Sequence, residues 1–249
     1  MKILILLSLL AMALTTGGTG NEDPREIIRL MDEHMRGEAS YAEMAMTIER
    51  PRYTRDITLR SWAMGERYSL IVITSPARER GTAFLKRGNE IWNYQPNVDR
   101  TIRMPSSMMA QSWMGSDFTN DDLVRETSLV NDFDHTLVGT EMIGDRECYI
   151  IDMIPKEGAT IVFDRVRVWV SKDDYLQLRV ENYDQRDRLV NTIVMSDIRE
   201  IGGRVLPTRL ELIPEGNPGH KTVMQYLNAD FTPDLDEEFF SHHNLRRVQ

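Results

Sequence analysis

From Ser40 onward the chain changes character at every second residue, and this rhythm restricts the fold more than any other feature. Ala42, Met44, Met46 and Ile48 alternate with Glu43, Thr47 and Glu49, the pattern of a half-buried strand. Pro51 starts a turn, and Ile57, Leu59 and Trp62 mark a second strand. Residues 68–74 are apolar on both faces until Ser75-Pro76 stops them. Strands are expected at 82–86, 90–94 and 101–104, with Gly88-Asn89 and Pro96-Asn97 as turns. After an interruption the alternation resumes at 135–143, 147–154, 165–170, 176–183, 189–198, 205–213 and 221–228. Such a run of short strands with turn-rich links predicts one antiparallel sheet curled into a barrel or sandwich.

Helix is scarce by comparison. Asp23 is a good N-cap, Pro24 suits the first helical position, and Glu26 lies where the helix dipole favours it. Ile27, Leu30, Met31 and His34 or Met35 follow at helical spacing, and Gly37 ends the segment. Several strands keep charge on one face: Arg165 and Arg167 oppose Val166 and Val168, and Arg179 and Glu181 oppose Leu178 and Val180. One side of the sheet is therefore wet. The other side must be covered by this one amphipathic helix and the interruption near residue 104.

The first 20 residues read as a cleavable secretory signal. Lys2 is the positive part, residues 3–14 are apolar apart from Ser8, and a small polar stretch follows. A spanning helix needs roughly 20 apolar residues, and this run falls short. Residues 21–249 then form one domain outside the cytoplasm, in the periplasm. No cysteine follows the apolar run, so the usual acceptor for a lipid anchor is absent there. The formal charge is −9; without Lys2 (−9 less +1) it becomes −10, which argues against nucleic-acid binding and against docking on anionic lipid. Cys148 is the single cysteine, which excludes an intrachain disulfide and zinc sites built on cysteine pairs.

The interruption at 104–124 carries the most information. Met108, Met109, Trp113 and Met114 crowd a short segment with large, adaptable apolar groups. Thioethers re-pack around irregular partners, and Trp adds a broad apolar body with one polar edge. The segment reads either as a lid facing an apolar cavity or as ordinary core packing under a loop; spacing alone does not separate the two. Asp117, Asp121 and Asp122 lack the alternation of a calcium loop. Thr119 with Asp122 three residues on reads instead as a helix cap running into Leu123 and Val124.

Catalytic signatures are missing from the sequence: no nucleophile elbow, no metalloprotease helix, no phosphate loop and no dinucleotide glycine pattern. The five histidines are dispersed, and the His242-His243 pair near the end has no companion ligand in sequence. Cys148 lies in a strand-like run where a buried, inert thiol is expected. The reading is of a protein that is not an enzyme and holds neither a cofactor nor a metal.

Several blocks resemble the outer-membrane lipoprotein-sorting proteins, in a LolA-like branch: SPARERGTAFL at 75–85, NEIWNY at 89–94, MPSSM at 104–108, QSWMGSDFTNDDL at 111–123 and PGHKTV at 218–223. The likeness covers nearly the whole chain after the signal. It implies the fold of LolA, LolB and RseB, a half-open antiparallel β-barrel of roughly 11–12 strands whose concave, apolar face is covered by a few short helices. It further implies a periplasmic carrier that shelters lipid or lipoprotein acyl chains on the way to the outer membrane. A lipid-sensing adaptor of an RND-type exporter or envelope signalling protein is the alternative. Expected partners are acyl chains and an inner-membrane RND-type exporter or lipoprotein-release complex, with the carrier a monomer. The residues expected to form cavity and lid are Trp62, Trp92, Tyr94, Met104, Met108, Met109, Trp113, Met114 and Phe118.

Overall fold

A computed structural model describes residues 22–123, 128–159 and 161–248; the secretory signal and Val124 lie outside them. Every alternating segment pairs, so the sheet has 13 strands rather than 11–12. The first half of the chain supplies β1 (Ala39–Arg50), β2 (Tyr53–Met64), β3 (Tyr68–Ser75), β4 (Ala83–Arg87), β5 (Glu90–Gln95) and β6 (Arg100–Arg103). The second half supplies β7 (Phe133–Ile143), β8 (Arg146–Pro155), β9 (Arg165–Ser171), β10 (Gln177–Tyr183), β11 (Leu189–Ile201), β12 (Arg204–Pro214) and β13 (Lys221–Asp230).

Their order is β6-β5-β4-β3-β2-β1-β13-β12-β11-β10-β9-β8-β7, and all twelve pairings are antiparallel. The chain starts in the middle, meanders to one edge, crosses to the other edge and meanders back until β13 pairs with β1. Strands β6 and β7 remain separate edges, so the sheet is open. It is also strongly curled. On a flat sheet β3 and β9, seven places apart in this order, would stand about 34 Å apart. Ile71 of β3 and Val168 of β9 nevertheless line one cavity.

The inner face of this curl carries the main core, with Met44, Met46, Ile57, Leu59, Val168 and Ile193 among its members. One cover is α1 (Pro24–Arg36), whose cap is the expected one: the Asp23 carboxylate accepts from the Arg25 amide at 3.0 Å. Its buried stripe is Ile27, Ile28 and Met31, with Ile28 in place of Leu30. Gly37 takes φ 71°, and a Cβ there would lie 2.9 Å from Arg204. Arg204 in turn donates to the His34 carbonyl at the helix end and also to the Glu33 carbonyl, which already accepts from the Gly37 amide.

The outer face is wet at one end of β8–β10, where Arg165 and Arg167 pair with Asp152, and carries a smaller buried cluster around Cys148 and Trp169 at the other. It is dry over β2–β5. There the C-terminal stretch, including α3 (His242–Arg247), lays Phe240 and Leu245 on Tyr68, Leu70, Val72 and Leu85. This second cover explains why residues 68–74 are apolar on both faces.

Candidate functional site

β6 and β7 lie at opposite edges, and the described residues between them, 104–123 and 128–132, lie across the mouth of the curl. The crossing is pinned at its first half. The Met104 amide donates to the Ile91 carbonyl at 2.8 Å. Residues 112–119 fold back on themselves: Ser112 bridges Thr119, and the Trp113 amide donates to the Phe118 carbonyl at 2.8 Å. The reversal uses left-handed backbone at Met114 (φ 52°) and Gly115 (φ 78°), the second of which suits glycine. Arg50 meets Asp117 at 2.8 Å, with both side chains about nine-tenths buried, and also donates to the Gly115 carbonyl. Arg55 donates to the Met114 carbonyl at 2.6 Å. The Thr222 hydroxyl accepts from the Asp117 amide and donates to its carboxylate.

The acidic cluster divides accordingly. Asp117 is an anchor. Asp122 caps α2 (Asn120–Leu123), accepting from the Thr119 amide at 2.7 Å while its own amide donates to the Thr119 hydroxyl. The capping reading of Thr119 and Asp122 describes the observed geometry.

The nine residues expected to form cavity and lid separate into three groups. Met104, Met109 and Trp113 are buried in the main core, with Met108 and Met114 packed against it. Trp113 is fully buried, 5.4 Å from the ring of Phe84; it acts as a plug in the core, not as a lining. Phe118 alone lines the chamber described below. Trp62, Trp92 and Tyr94 must be corrected: they lie in the outer cluster under the C-terminal stretch. The reason is parity. On β2 the inner face is held by Ile57, Leu59 and Ser61, so Trp62 points outward; on β5 Ile91 is inner, so Trp92 and Tyr94 are outer.

Under the crossing lies a chamber of about 270 Å³, against the ~10–15 Å³ that one water requires. Its walls are inner-face side chains such as Met44, Ile71, Met153, Val180, Ile193 and Met224, closed by Leu129, Phe133 and Phe163. Six polar side chains interrupt them: Ser61, Asp121, Asp122, Gln177, Asn182 and Tyr226. Asn182 is satisfied by Asn191 directly across the β10–β11 pair, at 2.8 Å. Burial pushes the Tyr226 phenol above its ordinary range, so it remains a neutral donor at any physiological pH. A second space of about 310 Å³ adjoins along α1 and reaches Asp32, Arg36 and Tyr41. The two share Met44, Ser61, Asp122, Gln177 and Tyr226 among their linings, so these residues form the boundary, or waist, between the two spaces.

Sequence reading misses this lining because it follows bulk and not register. The usable signal is a polar residue on an apolar register: Ser61 after Ile57 and Leu59, Asn182 after Val180, Tyr226 after Met224.

His242 and Cys148 are accounted for elsewhere. His242 meets the edge of Trp92 at 4.6 Å. Cys148 is free and fully buried, and burial pushes its thiol up. Among the described residues no helix is long and apolar enough to cross a membrane.

A family model described as "uncharacterized protein" matches residues 65–247. A DUF1329 family protein from Desulfovibrio piger is 30% identical, with a TM-score of 0.80 over 90% of this chain and 99% of that one. A domain from Vibrio parahaemolyticus, named for outer-membrane lipoprotein sorting, is 21% identical with a TM-score of 0.80, over 90% and 98% of the two chains. A LolA superfamily protein from Nitrosomonas europaea is 23% identical with a TM-score of 0.77, over 89% and 98%. No curated protein matches the sequence.

Proposed function

The chain belongs to the DUF1329 family and has the LolA-like fold, and from that premise we propose that it is a carrier whose chamber shelters the acyl chains of a lipid or lipoprotein. The observation that supports this most is the chamber itself: an apolar space between the inner face of an open sheet and a pinned crossing. Exposed acyl chains cost about 0.8 kcal/mol per CH₂, so a carrier must enclose them. An open sheet with two separate edges can widen to admit them, as a closed barrel cannot. Following the signal at residues 1–20, the carrier works in the periplasm and delivers toward the outer membrane. It acts by binding, without catalysis, and its cargo donor is an inner-membrane exporter or release complex.

Protein purified from its native envelope, extracted with organic solvent and analysed by mass spectrometry, should release acyl lipid in near-stoichiometric amount. Repeated absence of any acyl species, with no uptake of added lipid, would contradict the reading.

The adaptor reading has one observation of its own. Edge strand β7 exposes Leu137, Val138 and Met142, the last 57% accessible, and an unpaired edge is a template for strand addition. Photocrosslinking from position 142 in cells tests it. Capture of an inner-membrane exporter whatever the lipid supply favours the adaptor; capture that follows lipid supply favours the carrier.

A further inference from the structure

The waist between the two spaces is polar in a specific way. Ser61 of β2, Gln177 of β10 and Tyr226 of β13 line both spaces. Among the described residues none of the three side chains has a hydrogen-bond partner; the Tyr226 carbonyl, not its hydroxyl, accepts from Arg199. This contrasts with Asn182, which the fold satisfies with Asn191. Ser61 and Tyr226 flank β1, opposite Ala42 and Met44. Gln177 comes from the far arm of the curl, beside a register shift between Gln177 and Arg179, an irregularity of the kind that re-aims a side chain. Three neutral donors thus stand between a largely apolar chamber and a space that carries the Asp32–Arg36 pair along α1. Asp122 lines both spaces too, but its carboxylate accepts from the Thr119 amide and hydroxyl, which leaves the three donors to water or to an acceptor on a ligand.

The geometry points to a ligand whose acyl carbonyl, ester or amide, sits at this waist, with its tail in the chamber and its polar end along α1. This rests on the carrier reading and adds which part of the lipid is recognised. A site built with hydrogen-bond donors discriminates against a ligand lacking the acceptor, because those donors then lose water without replacement.

Displacement of N-phenyl-1-naphthylamine by monopalmitoylglycerol (ester), N-palmitoylethanolamine (amide) and hexadecane (no carbonyl) tests it, in the full mature chain and in Tyr226→Phe, Ser61→Ala and Gln177→Leu. Each substitution should weaken one or both carbonyl ligands about three- to tenfold and leave hexadecane unchanged. Tyr226→Phe removes one oxygen with no partner among the described residues, so its melting temperature should match the parent's. The ester-to-amide ratio identifies which linkage the waist prefers. Equal weakening of all three ligands, or of none, overturns the inference while the carrier reading stands. No displacement by any ligand from the unsubstituted protein overturns both.

Discussion

Arg50 and Asp117 join the end of β1 to the crossing segment, 67 positions apart in sequence, and they do so almost out of contact with water. Removing one member of such a pair strands the other charge, which typically costs 3–5 kcal/mol. Asp117→Ala should therefore lower stability by about 3 kcal/mol in urea denaturation, and a loss below about 0.5 kcal/mol would show that the pair is not a clamp. Cys148 gives a second residue-scale prediction. Buried in a third cluster with Trp169, Leu178 and Leu206, it should resist thiol reagents in the native protein and react fully once unfolded; rapid native labelling would contradict its placement. His135 gives a third. Its Nε2 lies 2.7 Å from the Leu129 carbonyl, and burial, aided by Lys156 and Arg25, holds its pKa below the ordinary value of 6.5. The unfolded chain then binds a proton that the fold refuses, so stability is flat above pH 6.5 and falls as pH drops below it. His135→Gln should remove this part of the slope between pH 7 and 5 in urea titrations; an unchanged slope would refute the assignment.

Elements account for what could and could not be read from the sequence. Strands and α1 were legible because period two, and Asp23-Pro24 with Gly37, are local signals. The two-sided burial of β3 was visible as an apolar run, but its cause was not. The C-terminal stretch that covers β3 lies more than 150 residues away in sequence, and nothing local to either partner announces the contact. For Trp62, Trp92 and Tyr94 bulk suggests a cavity, whereas register puts them under the C-terminal stretch, against Phe239, His242 and Arg246 respectively. Phe240 is fully buried there. Phe240→Ala should cost about 3–5 kcal/mol and shift tryptophan emission to the red as Trp62 and Trp92 meet water. Unchanged emission and stability would mean the cover is not packed as described.

At the scale of the whole molecule, one 13-stranded sheet starts and ends in its middle and leaves its two edges to be joined by a crossing segment. Between those edges the described residues 104–123 and 128–132 contribute Met109, Trp113, Phe118 and Leu129 to the inner face. Their Met and Trp content then decides whether they fill the curl or leave room. They do both: Met109 and Trp113 plug the end nearest Phe84, while Phe118 and Leu129 roof a chamber further along. The lid expected from sequence is thus half core and half roof, and the chamber wall is the sheet. Photolabelling with a palmitic acid bearing a diazirine near the end of its chain, followed by peptide mapping, tests the claim that this chamber holds the cargo. Labels should fall on inner-face residues such as Met44, Met153, Met195 and Met224 and be competed away by unlabelled lipid. Labels confined to the outer face, around Trp62, Trp92 and the C-terminal stretch, would contradict it.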